Sequence, residues 1–211
     1  MRNRRGLFAG MQSGRLSGFV PYKGTKDLPN AGRISRFIRN FVDMKVALCQ
    51  FSMEWEAAAR NLRRAEELVA QAGADLALLP EMFATGFVTE PWRTALPDEE
   101  ELLAWMRRTA RRYATALAGS AVVRSGDRFA NRFFFVRPAG GAERYDKRHL
   151  FSIGGEDAHF VAGRRRVVVE YGGLRFLPLV CYDLRFPVWC RCRSDYDAIL
   201  CVASWPAPRR E

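Results

Sequence analysis

Apolar residues recur along this chain in short, strand-sized runs separated by stretches of helical period. Residues 45–51 are rich in β-formers and nearly continuous in apolar character, the pattern of a strand buried on both faces. From about residue 55 to residue 72 the period lengthens. Leu62, Ala65, Leu68, Val69 and Ala72 fall on one stripe, which predicts a helix stopped by Gly73. Residues 76–79 read as a second short buried strand, ended by Pro80. Pro97 and Asp98 then open a second long helix, with Leu102, Trp105, Met106, Ala110, Tyr113 and Leu117 on its apolar face. Beyond it the pattern becomes paired strands. Residues 118–124 and 129–137 form a hairpin across Ser125-Gly126-Asp127, and residues 166–171 and 174–180 another across Gly172-Gly173. Residues 197–202 give a last strand. Two early helices followed by paired strands predict sheets covered by helices, an α/β layered fold.

Composition narrows the class. At 211 residues, 48% hydrophobic and 27% charged, the chain can bury one sizeable core and does not have the composition of a disordered protein. No apolar run approaches the roughly 20 residues that span a bilayer, so no membrane role is expected. The net charge of +11 is unevenly spread: residues 1–43 hold nine Lys and Arg against two acids, and the rest holds 25 against 21. Arg107, Arg108, Arg111 and Arg112 recur at helical spacing and read as a solvated face. Aromatic residues are not interleaved with them, which argues against nucleic acid as a partner. Residues 1–43 have three competing explanations: a disordered basic tail, a transit-like segment, or a start codon set too far upstream. The third is favoured because Met44 opens a strand pattern at once, leaving residues 44–211 as the folded domain. Five cysteines without framework spacing, and no apolar leader, point to a reducing, cytoplasmic setting.

Three positions invite chemistry. Glu81 follows a buried strand and Pro80, where a strand end delivers its side chain into a crevice; a surface glutamate opening a loop is the alternative. Lys147 lies in a charged cluster between apolar groups. Beside a reacting carbonyl its ammonium would stabilise an oxyanion, whereas alone it is a loop lysine. Cys181 ends a strand and precedes a turn, a layout that exposes a nucleophile and leaves the Tyr182 N–H free for an oxyanion hole. The alternative is an inert buried thiol. A Cys–His pair with His149 or His159 as base is conceivable. Cys190 and Cys192 with the two histidines have the wrong spacing for a closed zinc site, and no metal or other cofactor is expected.

Taken together, Leu78-Leu79-Pro80-Glu81-Met82-Phe83, Tyr145-Asp146-Lys147-Arg148-His149-Leu150-Phe151 and Val180-Cys181-Tyr182-Asp183-Leu184-Arg185-Phe186-Pro187 resemble the three motifs of the nitrilase superfamily of carbon–nitrogen hydrolases, in that family's order. The resemblance covers residues 44–206. The stretch from Gly155 to Gly163 and Phe186-Pro187-Val188-Trp189 are similar to its bacterial omega-amidase branch. The resemblance implies an α-β-β-α sandwich. It also implies a general base at Glu81, an oxyanion-binding lysine at Lys147, a nucleophile at Cys181 and a second glutamate at Glu156 that orients the lysine and substrate. The oxyanion hole would be completed by the Tyr182 N–H.

The same resemblance implies a small-molecule amide and water as reactants, with 2-oxoglutaramate or 2-oxosuccinamate hydrolysed after transamination, in support of methionine salvage, and a homodimer in the full-length family members. Such substrates carry a distant carboxylate. Arg185 is a candidate to meet it, with Phe87 and Trp205 as pocket walls, although Arg185 can equally serve as a structural partner for Asp183. A deaminated-glutathione amidase shares the same trio and stays open. Family members continue beyond the position of Trp205, so the sandwich is expected to be incomplete at the C-terminus. Poor stability or inactivity is then expected unless another chain supplies the missing layer. A non-catalytic fragment or basic-tail binding protein is the reading from another class.

Overall fold

The structure is a computed structural model, and it describes residues 11–14, 44–93 and 98–205. Most of the basic segment 1–43, with Pro97 and Pro206, lies outside the described residues. Among the described residues nine strands form two sheets. β1 (Met11–Gly14), β2 (Val46–Cys49), β3 (Leu76–Leu78), β4 (Ala116–Ser125), β5 (Arg128–Val136) and β6 (Ala142–Asp146) make a six-stranded sheet in that order. β7 (Val169–Tyr171), β8 (Leu174–Val180) and β9 (Ala198–Val202) make the second sheet. β2, β3 and β4 run parallel, with Val46 opposite Leu76 and Leu76 opposite Ala116. β4, β5 and β6 are antiparallel, and β8 runs parallel to β9.

The helix Ala58–Ala72 begins three residues later than the apolar stripe suggests. Glu56 takes a left-handed φ of 58°, and the Asn61 side chain holds both the N–H and the carbonyl of Glu54 (2.8 and 2.7 Å), so the preceding residues form a turn. Gly73, with φ 48°, stops this helix as expected. The second helix, Glu99–Arg112, is capped by Asp98, whose side chain accepts from the Glu100 N–H. Leu117 does not belong to that helix. The chain turns at Ala114 (φ 50°) and Leu117 enters β4, while Leu103 joins the buried helical face. β6 had no counterpart in the hydrophobic pattern.

Both helices bury Ala65, Leu68, Val69, Leu102, Leu103 and Met106 against one face of the large sheet, where Ala47, Ala77, Leu117 and Phe134 receive them. The opposite face presents Leu76, Ala116, Phe133, Phe135 and Tyr145 to Phe176, Val180, Leu200 and Val202 of the small sheet. The described architecture is therefore helix on sheet on sheet. Among the described residues the only helices after β8 are the short turns Cys181–Arg185 and Pro187–Cys190. The parallel strands β8 and β9 finish side by side, and the loop after β3 crosses to meet them: the Glu81 N–H donates to the Ala203 carbonyl (3.4 Å). That crossing ties the loop after β3 to the end of the small sheet.

Candidate active site

Glu81 lies three residues past the end of β3, at a turn where Met82 holds φ at 49°. Its carboxylate is fully buried and is met from three sides. Oε1 accepts from Lys147 Nζ (2.9 Å) and Asn131 Nδ2 (2.9 Å), and Oε2 accepts from the Ser204 N–H beyond β9 (3.0 Å). Lys147, one residue past β6, is fully buried too. Nζ also donates to Glu156 Oε2 (2.8 Å). Glu156 opens the short helix Glu156–His159; its Oε2 also accepts from the Phe151 N–H (2.7 Å) and its Oε1 from Asn131 Nδ2 (3.0 Å). Burial alone would lower the Lys147 pKa, but the charges of Glu81 and Glu156 outweigh it and raise the value, so the ammonium persists. The Asn131 amide gives both buried glutamates a further hydrogen-bond donor.

Cys181 follows β8 at the start of the turn Cys181–Arg185 and holds a left-handed φ of 46°. A residue with a Cβ avoids that conformation, so the corner aims the side chain at a cost of order 1–3 kcal/mol. The Glu81 carboxylate acts on the thiol as a charge and as a hydrogen-bond partner, and Lys147 acts as an opposing charge. Burial first, then Glu81, pushes the Cys181 thiol up to about 12, with Lys147 pulling the other way. The resting sulfur is thus a protonated thiol beside a carboxylate. The first N–H groups of a helical turn have no partner within it, so the Tyr182 N–H at this corner can meet an anionic oxygen.

The structure brings Glu81, Lys147, Glu156 and Cys181 into one site. Phe87 stands over it, its ring 6.0 Å from Lys147 Nζ. Trp205 follows Ser204 and is half exposed. Asp183 corrects the pairing weighed for Arg185. Its buried carboxylate accepts from Tyr145 Oη (2.8 Å), the His149 N–H (2.8 Å) and the Val180 N–H (3.1 Å), and His149 Nδ1 lies 2.9 Å from it. Arg185 is therefore not its partner; it stays exposed and lines, with Arg148, His149 and Trp189, a depression of about 250 Å³. His149 stacks on Phe186 at 3.7 Å and faces Asp183, while His159 packs edge-on against Trp92, so each histidine has a structural neighbour of its own.

Asn131 is the residue that pattern reading passed over. It sits in the middle of β5 among aromatic residues and is fully buried. An amide in such a strand needs partners, and that requirement was the available signal.

A family profile described as carbon–nitrogen hydrolase matches residues 45–210. Omega-amidase YafV of Yersinia enterocolitica is 46% identical over 167 residues, covering 79% of this chain and 65% of that protein. A 2-oxoglutaramate amidase of Bacillus subtilis is 29% identical over 171 residues, 78% of this chain and 66% of its own. A solved CN-hydrolase superfamily protein of Xanthomonas campestris, with an arsenic adduct in its active site, aligns with TM-score 0.74 and 39% identity. That alignment covers 79% of this chain and 66% of the other. The chain thus spans just under two thirds of the length of these relatives.

Proposed function

The chain belongs to the carbon–nitrogen hydrolase family, and on that premise we propose that it is an omega-amidase, releasing ammonia from the side-chain amide of a 2-oxo acid through a thioester on Cys181. The observation that carries the reading is the buried meeting of Glu81, Lys147 and Glu156 against the Cys181 thiol. Glu81 takes the thiol proton as sulfur attacks the amide carbon, which spares the site a free thiolate that burial disfavours. The carbonyl oxygen becomes an oxyanion held by Lys147 Nζ and the Tyr182 N–H. Glu81 returns the proton to nitrogen, the C–N bond breaks, and ammonia leaves. Glu81 then deprotonates a water that attacks the thioester; the C–S bond breaks, the thiol is re-protonated, and the product acid departs. Amide and water are consumed; acid and ammonia are formed. Glu156 keeps Lys147 aimed through both halves.

The substrate's distant carboxylate is met by Arg185, whose exposed guanidinium stands in a cationic depression with Arg148, and Phe87 and Trp205 wall the acyl chain. A reducing, cytoplasmic setting is part of this reading, supported by five cysteines without framework spacing. Exposed Leu184 and Val188 beside the nucleophile turn offer apolar surface for a homodimer. The test is ammonia release from 2-oxoglutaramate, with deaminated glutathione as the competing amide. Turnover that prefers 2-oxoglutaramate and vanishes in Cys181→Ala is expected. Preference for deaminated glutathione would move the substrate assignment, and turnover that survives Cys181→Ala would end it.

A further inference from the structure

Asn131 touches both catalytic-site glutamates with a single nitrogen: Nδ2 donates to Glu81 Oε1 (2.9 Å) and to Glu156 Oε1 (3.0 Å). An amide NH2 has two hydrogens, and here each serves a different carboxylate. The flipped amide would present its oxygen to two anionic groups, so the orientation is dictated by charge. The strand holds the residue firmly, because the Asn131 carbonyl accepts from the Lys147 N–H (2.9 Å). The other end of the side chain is left out: among the described residues Oδ1 is a buried side-chain atom without a hydrogen-bond partner. An orphaned buried acceptor costs stability. Side-chain bonding alone would favour a residue whose whole polar group is satisfied, so what keeps an amide here is the pair of donors on its nitrogen.

We propose that Asn131 is a positioning residue that clamps Glu81 and Glu156 around Lys147, holding the base within reach of the Cys181 thiol. The titratable groups facing its amide are Glu81, Glu156, Lys147 and, across Glu81, Cys181. Without the clamp the two carboxylates repel, and each can rotate around the ammonium. Asn131 acts through the two glutamates it holds, so on this proposal the loss falls on kcat and not on KM. Ranking its effect by turnover rests on the amidase reading; the geometric role does not.

The experiment compares wild type with Asn131→Ala and Asn131→Asp in two assays, each judged against thermal midpoints. The first is turnover of 2-oxoglutaramate from pH 5 to 8. The second is the rate at which iodoacetamide modifies Cys181, followed by mass spectrometry of its peptide, which needs no substrate. Asn131→Ala is expected to lower kcat roughly 10–100-fold with KM within about threefold. In Asn131→Asp the introduced carboxyl donates one hydrogen when protonated and repels both glutamates when ionised. Its ratio to wild type should therefore fall as pH rises, in turnover and in alkylation alike. A purely structural role would give ratios flat with pH, and flat ratios, or Asn131→Ala with near wild-type kcat, overturn the proposal. If wild type shows no turnover, the amidase reading fails and the alkylation ratio still decides the role of Asn131. If Asn131→Ala does not fold, Asn131→Asp decides through the same ratio.

Discussion

Cys181 keeps its sulfur at a backbone φ of 46°, where a side chain crowds the main chain. The corner sets the thiol beside Glu81, while the helical turn it opens presents the Tyr182 N–H. Strain of this kind is visible only when the sulfur is removed and the backbone is kept. Two variants separate the effects. Cys181→Ala keeps the Cβ and the strain; Cys181→Gly removes both and adds freedom to the unfolded chain. The left-handed conformation costs an L-residue roughly 1–2 kcal/mol, and glycine loses about 0.5–1 kcal/mol in return. Cys181→Gly should therefore be more stable than Cys181→Ala by up to about 1.5 kcal/mol in urea unfolding, with both inactive. Glycine less stable than alanine would show that the corner is unstrained.

At the level of elements, the site depends on how tightly the end of β6 is held against the loop after Phe160. Gly163 donates its N–H to the Lys147 carbonyl (2.8 Å), and a Cβ placed on it would lie 2.0 Å from the Asp146 carbonyl oxygen and 2.7 Å from its carbon. Backbone meets backbone there, so no side chain can yield. Gly163→Ala should push the strand end outward, carry Lys147 away from Glu81 and Glu156, and cost about 1–3 kcal/mol of stability. Its kcat should fall by more than that loss of folded protein explains; unchanged kcat would show that the lysine is placed by its carboxylates alone. Much of this arrangement was legible in the sequence. The strand ends before Glu81 and Cys181, Gly73 as a helix stop, and both hairpins follow from local pattern and turn chemistry. β6 was not, because Ala142 to Asp146 alternates polar and apolar groups weakly, and only Tyr145 enters the core. Asn131 was hidden for another reason: its partners lie 50 residues before it and 25 after, and only the folded sheet joins them. Arg185 and Asp183 are neighbours in sequence, yet Tyr145 and His149 reach the carboxylate from another strand end first.

For the molecule as a whole, the site lies where the loop after β3 meets the end of the small sheet, so activity and global folding draw on the same buried core. That core also holds ionisable sulfur. Cys49 on β2 is 1% exposed between helices and sheet, and burial pushes its thiol up to about 11 from an ordinary 9.0. Below pH 9 the folded and unfolded chains both keep this proton, so the thiol adds no pH dependence. Between pH 9 and 11 the unfolded chain sheds it while the folded chain retains it. The unfolded state then binds fewer protons, and stability falls as pH rises, by about 1.4 kcal/mol per pH unit for one such group. Cys201, raised to about 11, and Cys181, raised to about 12, add in the same direction, reduced by their partial exposure. Urea unfolding at pH 8, 9, 10 and 11 should therefore show a progressive loss across the upper half of that range. Tyrosine and lysine titration also acts there, so the test is comparative. Cys49→Ala lowers stability at pH 8 through its cavity, yet should lose about 1.4 kcal/mol less than wild type for each unit above pH 9. Parallel pH curves for the two proteins would mean that the Cys49 thiol ionises as readily in the folded core as in the open chain.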